Sequence, residues 1–239
     1  MVAATEPGAR ARTASRAPAR LIAAALDAFA RQGYHGASTR DICAAAGMNN
    51  ASIHYHFGDK AGLYRELYRH ALDTYEATMR AADIESREGR SALLAYHGAV
   101  LRMHADEGFA PLTRIHLREE SEPTGIVDDL RPRSMEMLLE VLGGLVRREL
   151  GIAALDPALD PALDPALDPA LRRLVLTLHG SGLVYVVKRR VIAETVTGLF
   201  DGPGQLDELI EHLADMGMAM IEFERVRRGT TKSSKEKAP

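Results

Sequence analysis

The chain has no tryptophan, one cysteine and few aromatic residues, 5% in all. Its apolar share, 46%, is therefore carried by Ala, Leu, Val and Met, a composition that favours helices over sheets. A single cysteine excludes a disulfide framework within the chain and fits a reducing, cytoplasmic compartment. No run reaches the roughly 18 uninterrupted apolar residues of a membrane span. The start, "MVAATEPGARARTASRAPAR", is rich in Arg, Ala and Ser, as organellar transit peptides are. It lacks the apolar core of a secretory signal, because "LIAAALDAFA" is interrupted by Asp27 and reads on as a helix. No nucleophile–base pair and no convincing metal-ligand spacing occurs, so neither an enzyme, a metal site nor a cofactor is expected.

What is present is a charge asymmetry. The net charge is −3, yet residues 1–80 hold 10 Lys and Arg against 7 Asp and Glu, whereas residues 81–239 hold 20 against 26. A basic head on an acidic body implies a polyanion partner at one end only. With 239 residues, one large domain or a small domain joined to a larger one is expected.

Periodicity predicts helices nearly throughout. The first covers 18–32, with Leu21, Ala25, Ala28 and Phe29 on one stripe, after a flexible basic arm at 1–17 that carries Arg10, Arg12 and Arg16. A second begins at Ser38, where Ser-Thr-Arg-Asp reads as a capping box closed by Asp41, and stops at Gly47. Asn49 is expected to cap a third that runs to Phe57, with Ile53 and Phe57 inward. A fourth, from Asp59 to about 80, is anchored by Leu63, Leu67 and Leu72 and serves as connector. Two short helices joined by a glycine turn, the second polar on its open face, make a helix-turn-helix. Further helices are expected at 91–107, 109–121, 126–150, 169–198 and 205–228, with a disordered tail at 229–239.

Residues 156–171 are four copies of Asp-Pro-Ala-Leu. Proline every fourth residue cannot propagate a helix, but Asp-Pro starts one well. The repeat is read as a surface loop whose last copy, Asp168-Pro169, caps the next helix; the rival reading is a proline-rich segment for a partner.

The stretch "STRDICAAAGMNNASIHYHFGDKAGLY" resembles the DNA-binding segment of TetR-family transcriptional regulators, through Ser38, Asp41-Ile42, Ala46-Gly47, His56-Phe57, Lys60 and Leu63. "NASIHYHFGDKAGLY" and, more loosely, "LRRLVLTLHGSGLVYVVKRRVI" are similar to the CecR-like branch. Two positions depart from the family: His54 stands where Tyr is usual, and Cys43 where a small residue is usual. The resemblance implies an all-α homodimer, with an N-terminal three-helix DNA-binding domain at 18–65 and a C-terminal helical domain at 81–228. The latter would bind a small-molecule effector and supply the dimer surface.

On DNA, Asn49, Asn50, Ala51 and Ser52 are expected to face base edges, with Asn50 able to pair bidentately with adenine. His54, Tyr55 and His56 would reach phosphates, helped by Lys60 beside helix amides and by Arg40 across the groove. The alternative for Tyr55 is a place in the core. His54 and His56 are no zinc pair, since i, i+2 separates them by about 200°. His97, Leu101 and His104 share a helix face that, with His116, is the candidate effector pocket; these are otherwise ordinary core or surface residues. Leu206, Leu209, Leu213, Met216 and Met220, with the small Gly180, Ser181 and Gly182, are the candidate dimer stripe. The function expected is a repressor of a palindromic operator, released by its effector; an activator of the same fold, a small helical enzyme and a DNA-coating protein are the alternatives.

Overall fold

Helices account for all the regular structure among the described residues, and no strand occurs among them. The computed structural model describes residues 7–152, 169–196, 198–200, 202 and 204–236, with side chains between Ala17 and Gly229. In chain order the elements are α1 (Pro7–Gly36), α2 (Thr39–Ala45), α3 (Ala51–Phe57), α4 (Lys60–Ala81), α5 (Gly89–Ala105), α6 (Ala110–Ser121), α7 (Pro132–Glu149), α8 (Pro169–Val187), α9 (Arg189–Thr195) and α10 (Gln205–Glu236). They form two compact units. One holds the chain to Thr74 together with Glu107–Pro132; the other holds Tyr75–Asp106 and the chain from Arg133 onward.

The first unit packs α1, α2, α3, α6 and the larger part of α4. Leu21, Ala25 and Phe29 are buried from α1, Ile42 and Cys43 from α2, Ile53 from α3, Leu63 and Leu67 from α4, and Leu112 and Ile115 from α6. Polar bonds fasten α6 to α4. The fully buried Glu119 accepts the Tyr64 hydroxyl at 2.7 Å and the Thr124 N–H at 3.1 Å. Tyr68 pairs with His116 Nδ1 at 3.1 Å. Burial holds the phenols of Tyr64 and Tyr68 well above their ordinary pKa and the His116 imidazole below its own. Arg65 forks onto Asp129 at 2.6 and 2.7 Å, and this bond holds the Asp129 carboxyl down at about 2.

In the second unit α5 and α10 pack along most of their length, with α7 and α8 completing the core around Leu93, Tyr96, Leu142, Val175, Leu178 and Ile221. A smaller apolar cluster joins Leu101 of α5 to Leu209, Ile210 and Leu213 of α10. By length and composition α8 alone among the described helices is apolar enough to cross a bilayer. It nevertheless buries Leu171, Val175, Leu178 and Gly182 within the unit.

Several boundaries differ from those read from periodicity. The helix α1 extends back to Pro7, into the expected arm, and α10 continues to Glu236, into the expected tail. The helix expected at 126–150 starts only at Pro132. Proline disfavours helical backbone in the residue before it, and the Val127 carbonyl closes a turn with the N–H groups of Leu130 and Arg131, both at 2.9 Å. The helix expected at 169–198 breaks at Lys188, which leaves helical geometry at φ −101°, ψ 9°. The Asp-Pro-Ala-Leu copies up to Asp168 lie outside the described residues, as do the side chains of Arg10, Arg12 and Arg16.

The dimer stripe needs a correction. Leu209 and Leu213 are buried in their own unit against α5, and Met220 packs on the main core; of the five, Met216 is the large exposed residue. The two buried members of the stripe, Leu209 and Leu213, meet an intramolecular partner.

Candidate nucleic-acid interface

The interface is built on two short helices and the corner between them. Ser38 caps α2 in extended backbone and accepts the Asp41 N–H at 3.4 Å. At the other end Met48 N–H reaches the Cys43 carbonyl at 2.8 Å and Gly47 N–H reaches Ala44 at 3.0 Å, the paired bonds of a Schellman closure. That closure needs a left-handed residue, and Gly47 takes φ 63°. Buried Ile42 and Cys43 fix α2 to the core, leaving Arg40 exposed.

Ile53, 1% exposed, anchors α3. Asn49, Asn50, Ala51, His54 and Tyr55 are exposed around it, while Ser52 and His56 are half-buried. Tyr55 is 84% exposed, which excludes the core placement weighed for it. Asn49 is not the helix cap. Asn50 holds that position without a side-chain cap bond, and the Asn49 side-chain carbonyl instead accepts the Ser52 hydroxyl at 2.9 Å. Two of the four expected base-facing groups are thus tied to each other, and the Asn50 amide keeps its donor and acceptor for an outside partner. His54 donates from Nδ1 to the Gly58 carbonyl at 2.6 Å, which leaves Nε2 as its outward nitrogen. Tyr55 and His56 meet edge to face at 4.8 Å.

The junction with α4 brings Gly62 and Tyr34, which periodicity did not single out, against Asp59 and Lys60. Gly62 lies so close under Phe57 that a Cβ there would sit 2.0 Å from its carbonyl oxygen, so only glycine lets α3 and α4 meet at this angle. Asp59 accepts the Gly62 N–H at 2.7 Å, and so occupies one of the α4 amides expected to attract a phosphate. Lys60 rests over the Tyr34 ring at 4.6 Å, and partial burial lowers its pKa. The cation therefore has a fixed seat. An Asp three residues before a glycine was a readable cap signal; the Tyr34 seat, across a loop, had none.

The four candidate effector residues are divided between the two units. His116 belongs to the first unit, bonded to Tyr68, while His97, Leu101 and His104 lie on α5 in the second. Leu101 is in the small apolar cluster and His104 is half-buried. His97 is 1% exposed, with Nε2 lacking any hydrogen-bond partner. Among the described residues no group of three His, Cys, Asp or Glu is placed to hold a metal ion.

Residues 21–67 match the sequence model described as bacterial regulatory proteins of the tetR family. Residues 90–221, more than half of the chain, match that of the C-terminal domain of the HTH-type transcriptional dual regulator CecR. The chain belongs to the TetR family. Among relatives of this TetR regulator, the HTH-type transcriptional regulator RutR of Escherichia coli K12 is 25% identical over 154 residues, covering 63% of this chain and 71% of RutR. The fatty acid degradation regulator FadR from Bacillus halodurans has the same fold, with a TM-score of 0.57 at 18% identity over 90% of this chain and 97% of FadR. So has a transcriptional regulator from Rhodococcus sp. Rha1, with a TM-score of 0.55 at 21% identity over 85% of this chain and 95% of the other. The TetR segment at 21–67 contains all nine residues named above for DNA, from Arg40 to Lys60.

Proposed function

We propose that this TetR-family regulator binds a palindromic operator as a homodimer and represses transcription until a small-molecule effector releases it. The observation that carries the reading is the exposed face of α3. Asn50, Ala51 and Tyr55 stand clear of a helix held from behind by Ile53, with Lys60 seated on Tyr34 beside them. Short polar side chains on a helix anchored by one apolar residue suit base edges in a major groove, and the flanking ring and cationic groups suit phosphates.

Support for a dimer comes from a face of the second unit. Leu176 and Val184 of α8 are 45% and 47% exposed, and Phe223 and Val226 of α10 are 71% and 59% exposed. A groove of about 490 Å³ between the two helices is lined by Leu174, Met220 and Phe223 together with the charged Arg173, Glu224 and Arg227. An apolar face of two helices suits the same face of a second copy, and two reading heads held by it span successive major grooves. The helix α4 is continuous from Lys60 to Ala81, with its last turns in the second unit. An effector that binds more tightly to a dimer with displaced heads draws the population away from DNA.

Selection of bound fragments from random duplexes tests this reading. Strong enrichment of a short palindrome is the expected result; no preference over bulk competitor at moderate salt overturns it. The match to a dual regulator favours activation as the second reading, which a reporter placed behind the selected palindrome separates from repression.

A further inference from the structure

Lys60 opens α4 half-buried, and its ammonium stands over the Tyr34 ring at 4.6 Å. Its pKa is shifted downward by burial, whereas a bonded carboxylate would have pushed it up. A carboxylate would also neutralise the charge it held. The face of a phenol ring attracts an ammonium and leaves it positive. Such a seat suits a cation kept for a second, anionic partner.

The ring is itself held from several sides, all within the first unit. Gly33 turns the chain at φ 73° and ψ 176° just before Tyr34. Arg118 of α6 lies against that glycine, with Nη1 2.6 Å from where a Cβ would stand, and donates to the Phe29 carbonyl at 3.4 Å. Phe29 stacks with Tyr34 at 6.1 Å, and Tyr64 meets Tyr34 at 5.1 Å and 60°. Both of these rings are 1% exposed, and the Tyr64 hydroxyl is bonded to the buried Glu119 of α6 at 2.7 Å.

A lysine side chain has much rotamer freedom, and losing it at the moment of binding costs affinity. A seat that fixes the stem beforehand removes part of that cost. We propose that Tyr34 is a positioning residue for DNA binding: its ring, packed on Phe29 and Tyr64, holds Lys60 in place for a backbone phosphate. The inference deepens the DNA-binding reading and rests on it. The cation also keeps its place beside the reading helix, because Gly62 closes the start of α4 onto the end of α3, where a Cβ would stand 2.0 Å from the Phe57 carbonyl oxygen. Through Arg118 and Glu119, α6 sets the ring before any duplex arrives. A phosphate contact carries no sequence information, so Tyr34 acts on affinity for every duplex alike.

The test is a double-mutant cycle in the full chain, read by fluorescence anisotropy on a duplex recovered by selection and on a scrambled one. Tyr34→Leu should weaken binding to both duplexes alike, by roughly three- to ten-fold. In the Lys60→Ala background the same change should cost nothing further. Tyr34→Phe keeps the ring and should bind within about twofold of the parent. Tyr34→pentafluorophenylalanine keeps the shape of the ring and reverses the charge on its face. It should weaken binding as Tyr34→Leu does, so poor folding of the leucine variant does not shield the inference. A Tyr34 that only supports the fold gives the opposite pattern: equal losses with and without Lys60, and a pentafluoro variant that binds like the parent. Either result overturns the role. So does a Tyr34→Leu variant with the parent's affinity, or a Tyr34→Phe variant as weak as Tyr34→Leu. Duplex preference of the parent is measured first: its absence overturns the DNA-binding reading, whereas intact preference with an additive cycle overturns only the role of Tyr34.

Discussion

Acidification should destabilise the second unit through His97. In the fold this ring is neutral because burial, followed by the neighbouring His179, pushes its pKa to about 4. In the unfolded chain it titrates near 6.5. A base whose folded pKa is depressed contributes stability that is complete above the unfolded value. That stability is lost as pH falls from about 6.5 to about 4, because the unfolded chain binds the proton first. The two values imply a loss of about 2 kcal/mol by pH 5 and about 3 kcal/mol once both states are protonated. His116 is shifted in the same direction in the first unit, so the parent alone does not isolate the effect. His97→Phe does. Urea unfolding at pH 7 and pH 5, followed by far-UV circular dichroism since the chain has no tryptophan, gives the two differences. The parent should lose about 2 kcal/mol more than His97→Phe over that interval. Parallel losses in the two proteins would refute the depressed, buried state of this ring.

Tyr64→Phe should cost about 1.5–3 kcal/mol in the same assay, because it takes a hydrogen bond from the buried Glu119; Tyr68→Phe should cost less, about 0.5–1.5 kcal/mol, as its partner is an imidazole. Equal costs would contradict the placement of Glu119. Asn50→Ala should relax sequence preference by about 1–3 kcal/mol at one base pair, whereas Lys60→Ala should weaken binding to every duplex and reduce the salt slope by about one. Fragment selection and salt titration read the two effects, and loss of specificity from Lys60→Ala would contradict that division. Phe223→Asp should shift the chain to monomer in sedimentation and abolish tight palindrome binding, with unfolding midpoints little changed since the side chain is 71% exposed. An undisturbed dimer would exclude this face.

Local signals told most where the chain folds on itself within a few residues. Ser38 with Asp41, Gly47 as a left-handed stop, and Ile53 as an inward anchor were readable because each acts over less than two helical turns, although Phe57, expected inward beside Ile53, is only half-buried. Helix ends decided by competing neighbours were less legible. Asn49 and Asn50 are equally good caps by type, and the choice between them followed from the Ser52 hydroxyl, which bonds to Asn49 and leaves Asn50 at the cap. The start of α7 was misplaced for a different reason: apolar periodicity continues back through Val127, but Pro132 and the turn closed on the Val127 carbonyl stop the helix short.

The least legible part is which neighbour an apolar stripe meets. A period of 3.6 says that one face of α10 is buried and cannot say by what. Leu209 and Leu213 meet α5 of the same unit, while Phe223 and Val226, one stripe over, remain exposed. The same ambiguity hid His97. On α5 it shares a face with Leu101 and His104, a pattern as fit for a solvent-facing histidine as for a core one. What distinguishes it is a contact from α8, where Gly182 brings the backbone against the ring, and this spans a separation in sequence that no local pattern encodes. Replacing Gly182 therefore tests the ring's setting without touching the ring. A methyl group there must push α8 or His97 aside by a few tenths of an ångström. Gly182→Ala should consequently cost the second unit about 1–3 kcal/mol in urea unfolding, while the α3 face, built in the other unit, keeps its preference for the selected duplex.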